Sequence, residues 1–171
     1  MLKRSRVQTT FLFNKNLDIL TPKGQISSSD EQKMISMIKA RFNCDIVETP
    51  KDKPSKCDGF LVKKNTVVGL FEDKCRYTTY EQFKRWKSWI ITYEKLDKCV
   101  WLSNLLCVPF YGFLYIVYSD KILYWKITDD EGNYLFKPII KKTKTQATIN
   151  GGEAERENAF LPLEYAKILY E

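Results

Sequence analysis

Apolar positions recur along this chain at helical spacing in some stretches and by strand alternation in others, and the order of the two predicts an α/β fold. Ile35, Ile38 and Phe42 form a helical stripe ending near Asn43. Ser28 and Glu31 precede it with capping-box spacing, so a helix is expected from Ser28. Glu31, four residues before Ile35, falls at the N-terminal end of the inward face, and as a capping residue it needs no other role. Residues 44–48 read as a short strand or edge, and 49–56, with two prolines and three lysines, as a loop. The Val-, Leu- and Phe-rich runs 57–62 and 66–71 flank Lys63-Lys64-Asn65 and predict an antiparallel hairpin. After Thr78 and Thr79, a second helix is expected over 80–96, with Phe83, Trp86, Ile90 and Tyr93 buried and Lys84, Arg85 and Lys87 on exposed flanks. Residues 100–107 read as helix or loop. Residues 110–118 form a buried strand that pairs through Ser119-Asp120 with 121–127. A polar strand and loop over 137–156 and a short packing helix from Pro162 over 163–169 complete the order.

The hairpin carries the candidate chemistry. With its turn centred on Asn65, Val62 faces Val68, Phe60 faces Leu70, and Asp58 faces Glu72. Facing carboxylates destabilise a sheet unless something binds between them. A hard divalent cation such as Mg2+, which takes carboxylate oxygens and keeps waters, is the natural occupant. Alternation puts Glu72 and Lys74 on one face and Asp73 on the other. Glu72 is therefore the better side-chain ligand, and Asp73 can contribute its backbone carbonyl. An ordinary charged strand end is the plain alternative for Glu72-Asp73-Lys74; the upstream Asp58 and the following helix raise the pattern above it.

Asp58, a gap of 13 residues, and Glu72-Asp73-Lys74 resemble the motif of the PD-(D/E)XK nuclease superfamily. Gln82-Phe83-Lys84-Arg85-Trp86 is similar to the Q-x-x-x-Y element of its RecB-like and phage branches, with Trp for Tyr. Cys57 stands where the motif has Pro, at a loosely held position. The resemblance implies a restriction-endonuclease-like mixed central sheet flanked by helices, in a single domain with its core over about residues 28–128. It implies a nuclease of DNA using Mg2+ or Mn2+ and leaving 5′-phosphate and 3′-hydroxyl ends. Asp58, Glu72 and the Asp73 carbonyl would bind the metal, with Glu31 as a further ligand, and Lys74 would serve catalysis. Beside two carboxylates Lys74 is a poor proton acceptor, so orienting water and stabilising the phosphate suit it better. Gln82, in the first helical turn, either holds the phosphate or a metal-bound water, or caps the helix. A non-catalytic DNA-binding module and a Holliday-junction-resolvase-type enzyme share the fold and stay open.

Composition adds partners and exclusions. The 171 residues carry 28 Lys and Arg against 21 Asp and Glu, a net charge of +7 that suits a polyanion. Arg76, Lys84, Arg85, Lys141, Lys142, Lys144, Gln146 and Asn150 are the candidate DNA contacts, joined by Lys3, Arg4, Arg6 and Lys15 of the basic segment 1–27. A solvated loop and tail explain the two terminal groups equally well. With no histidine, Ser-His-Asp and Cys-His catalysis, histidine-metal nucleases and His-containing zinc sites are excluded. The five cysteines lack C-x-x-C spacing and read as free thiols of a reducing, cytoplasmic environment. No signal peptide is visible. The uncharged stretch 99–119 is nearly long enough to span a bilayer, but Ser103, Asn104, Pro109 and Gly112 argue against it. Oligomeric state is left open.

Overall fold

The computed structural model describes residues 22–51, 55–146 and 153–170. The N-terminal segment 1–21 and Asn150 lie outside them. Helix α1 (Pro22–Phe42) is followed by strands β1 (Asp45–Glu48), β2 (Gly59–Lys63) and β3 (Thr66–Arg76). A helix-strand-helix unit, α2 (Tyr80–Trp86), β4 (Ser88–Thr92) and α3 (Tyr93–Leu106), leads to β5 (Phe110–Ile116) and β6 (Lys121–Lys126). Strands β7 (Ile139–Gln146), β8 (Glu153–Pro162) and β9 (Lys167–Tyr170) close the described chain. Six strands form a mixed sheet in the order β1-β2-β3-β5-β6-β9, and β4-β8-β7 form a second sheet. This is the α/β arrangement expected, a mixed central sheet flanked by helices.

Alternation along β3 divides the core between the sheet's two faces. Phe71, Cys75, Phe113, Tyr115 and Ile122 pack with Met34, Ile35 and Ile38 of α1. Leu70, Leu114, Ile116 and Trp125 pack with Phe83, Trp89, Leu96, Cys99 and Leu161 on the other side. The β3–β5 pair is parallel, with Glu72 beside Gly112, so the chain between them must cross over the sheet. That crossover carries α3 over the face from which Glu72 projects.

Several expected boundaries move. The first helix begins at Pro22, a favoured first helical residue, so Ser28 lies inside it and caps nothing. Asn43, at φ 47°, ends it in the left-handed region. Lys64 and Asn65 both have positive φ, as a tight hairpin turn requires. A register shift between Leu61 and Val62 puts Val62 opposite Val67 rather than Val68, while Phe60 faces Leu70 as expected. The helix expected over 80–96 is broken at Lys87, which caps α2 at φ 57°. Ser88–Thr92 leaves it to pair with β8, a partner some seventy positions later that local periodicity cannot reveal. Trp89 is consequently buried, whereas Trp86 (56% exposed) and Ile90 face outward. The C-terminal packing helix is absent: β8 runs through Pro162, one turn of 3-10 helix spans Leu163–Tyr165, and β9 pairs with β6. Among the described residues no helix is long and apolar enough to cross a membrane.

Gly112 admits the Trp89 ring against β5, since an added Cβ would stand 2.4 Å from Trp89 Cζ3. Gly112→Ala should therefore lower unfolding free energy by about 1–3 kcal/mol, the usual cost of overpacking, as measured by denaturant melts. An unchanged midpoint would show that the ring shifts freely.

Candidate active site

Asp58 lies just before β2, where its amide donates to the Phe71 carbonyl at 3.0 Å. With Gly59 opposite Phe71, Asp58 comes level with Glu72 on the neighbouring strand. Gly59 makes this approach possible, because a Cβ there would lie 2.6 Å from the Phe71 ring and 2.8 Å from the Val47 carbonyl. Asp58 Oδ2 accepts the Asp73 amide at 3.0 Å, which ties the carboxylate to β3. Its carboxyl lies close enough to that of Glu72 for each to act on the other's ionisation.

Lys95, in the first turn of α3, joins the pair from above the sheet. Its Nζ is 2.9 Å from Asp58 Oδ1 and 2.9 Å from Glu72 Oε2. Asp73 points to the α1 side, where Lys51 and Glu31 are its nearby charged groups. Those two form an ion pair of 2.9 Å, and Lys51 also reaches Glu48 at 3.6 Å. Glu31 thus serves no helix cap; it stands at the edge of the acidic cluster. Lys74 shares the Glu72 face of β3 and is exposed.

Burial sets the electrostatics. Desolvation, reinforced by the Asp58 charge, pushes the Glu72 carboxyl well above the ordinary range. Burial also works against ionised Asp58, but the Lys95 charge and the hydrogen bonds from Glu72 and the Asp73 amide outweigh it and hold that pKa below its usual value. The same desolvation disfavours charged Lys95, and the two carboxylates override it. Asp73, only 4% exposed, is raised to about 7 by burial and by the Asp58 charge.

The donor set suits a hard divalent cation. Asp73 Oδ2 is a buried carboxylate oxygen without a hydrogen-bond partner among the described residues, and Glu72 Oε2 has Lys95 as its close contact. No three Asp, Glu, Cys or His side chains form a preassembled metal cluster among the described residues. Asp58 and Glu72 share one face of β3 with Lys95 between them, while the Asp73 side chain turns to the other.

The other expected residues are dispersed. Gln82 completes a capping box with Thr79: its Oε1 accepts from Thr78 Oγ1 at 2.9 Å and from the Thr79 amide at 3.1 Å. This side chain closes α2 and touches neither Asp58 nor Glu72. Arg76 is partly buried on β3, beside a cavity of about 300 Å3 lined also by Phe83, Trp86, Trp89 and Phe160. Lys84 pairs with Glu81 at 2.8 Å, and Arg85 is exposed next to it. Lys141, Lys142 and Lys144 are exposed on β7, with Lys141 Nζ 6.0 Å from the centroid of Phe160; Gln146 ends that strand.

Lys95 and Lys51 are the site residues that the motif did not indicate. An unbroken helix over 80–96 would carry Lys95 away from the hairpin. The β-branched and aromatic run Ser88-Trp89-Ile90-Ile91-Thr92 was the available signal that the helix breaks there.

Residues 24–142 match a family model described as "Phage putative PDDEXK endonuclease". No curated protein and no solved structure matches the chain.

The raised Asp73 pKa has a measurable sign. Between pH ~4 and ~7 the folded, metal-free chain holds a proton on Asp73 that the unfolded chain has lost, so stability falls as pH rises through that window. In EDTA, Asp73→Asn should be more stable than wild type at pH 8 by roughly 4 kcal/mol, with the advantage gone below pH ~4. Denaturant unfolding across pH checks this, and an advantage independent of pH would contradict it.

Proposed function

Because this chain belongs to the phage PD-(D/E)XK endonuclease family, we propose that it is a metal-dependent deoxyribonuclease leaving 5′-phosphate and 3′-hydroxyl ends. The observation that carries this reading is the pairing of Asp58 with Glu72 on adjacent strands, at a depth where neither acid ionises cheaply without a cation. The two carboxylates and the Asp73 carbonyl are the groups to hold Mg2+ or Mn2+, with Glu31 as an outer ligand. When bound, such an ion supplies Lewis-acid charge to a scissile phosphate and acidifies a coordinated water.

The chain's own residues divide the remaining work. The Asp73 amide and the β2–β3 ladder fix Asp58, so the carboxylate is oriented before substrate arrives. Lys74 keeps a cationic head on the Glu72 face, suited to orienting the nucleophilic water and stabilising the phosphate as charge builds on it. Gln82 would have to leave its cap to reach a phosphate, so its contribution is to the shape of α2. Arg76, Lys84, Arg85, Lys141, Lys142 and Lys144 supply phosphate contacts, together with Gln146 and Asn150. The family reading favours DNA over other polyanions as the partner.

Two experiments test this. Supercoiled, linear, branched and single-stranded DNA are incubated with the protein in Mg2+, Mn2+ or EDTA, alongside Glu72→Ala. Cleavage should require metal and fall by ~100-fold or more in the variant, and the products should be ligatable without prior phosphorylation. Cleavage in EDTA, or cleavage surviving Glu72→Ala, would sink the assignment; binding without cleavage would make the chain a DNA-binding module. In the second experiment, Lys74→Arg should keep activity within ~10-fold of wild type if its role is electrostatic. Loss as complete as in Glu72→Ala would indicate an obligatory proton acceptor.

A further inference from the structure

Nothing in the carboxylate motif calls for a lysine on α3, yet Lys95 Nζ lies 2.9 Å from Asp58 Oδ1 and 2.9 Å from Glu72 Oε2. These are the two acids assigned above to the metal, so a tethered cation stands between the groups that a free cation must ligate. A divalent ion sits ~2.1 Å from its oxygens, and an ammonium held to the same two carboxylates at that range repels it. The position is also costly for Lys95. It is partly buried in the first turn of a helix, where the backbone dipole disfavours positive charge. The two carboxylates compensate it there. Its neighbours on the helix offer no alternative, since Glu94 is already paired with Lys98.

We propose that Lys95 is a built-in counter-cation that competes with the divalent metal for Asp58 and Glu72. It holds the metal-free site assembled, it weakens metal affinity, and metal entry displaces its ammonium toward solvent, which already reaches part of the side chain. This inference rests on the metal-dependent reading above. Lys95 is on these terms a positioning residue, acting through the two carboxylates.

The test is calorimetric titration of the full chain with Mn2+, comparing wild type with Lys95→Met, together with thermal melts in EDTA. The variant should melt lower than wild type without metal and bind Mn2+ at least ~10-fold more tightly, a direction of change that loss of a purely structural lysine would not produce. Equal or weaker Mn2+ binding by the variant overturns the inference and leaves the nuclease reading standing. Absence of Mn2+ binding by both proteins overturns both. Should Lys95→Met fail to fold without metal, the wild type answers alone. In 15N-lysine NMR the Lys95 ammonium should be protected from solvent exchange in EDTA and lose that protection on saturation with Mg2+. Protection that persists at saturating Mg2+ is the contrary result.

Discussion

Two buried carboxyl groups on neighbouring strands oppose each other's ionisation, and a cation between them offsets part of that cost; the centre of this molecule is organised around that constraint. The β2–β3 ladder brings Asp58 level with Glu72, the Asp73 amide holds the first of these acids in place, and α3 delivers Lys95 to both. Remove the cation and burial opposes the arrangement. Its persistence in the fold is a cost of the kind that functional sites carry, offset by the packing around them.

Strand alternation on β3 gives adjacent acids different surroundings. Glu72 meets Lys95 on the face covered by α3, and Asp73 meets Lys51 and Glu31 on the face covered by α1. Both faces of the sheet are packed, by α1 on one side and by α2, α3 and the second sheet on the other. That two-sided cover makes desolvation the leading influence on both carboxyls. A one-sided sheet would leave one of them in water at its ordinary pKa.

Among the described residues, the basic side chains expected to contact DNA lie on α2, at the end of β3 and on β7. Two of them are engaged locally, Lys84 with Glu81 and Lys141 beside Phe160. Such residues suit contacts that follow a long backbone rather than close on a small ligand.

The sequence by itself determined the local features of the site. The hairpin, the opposite facing of Glu72 and Asp73, the apposition of Asp58 with Glu72, the helix start after Thr79 and the buried strand beginning at Phe110 all follow from period, turn chemistry or cap chemistry within a short window. The tertiary structure alone decided the rest. Trp86 reads as buried and is exposed, and Ser88–Thr92 reads as helix and is a strand, because its partner β8 is distant in the chain. The C-terminal run after Pro162 reads as helix and includes an edge strand on β6, again because its partner is remote. Lys95 belongs with these. Its place between two carboxylates depends on where the crossover after β3 breaks and turns back, and propensity over a few residues carries no information about that return.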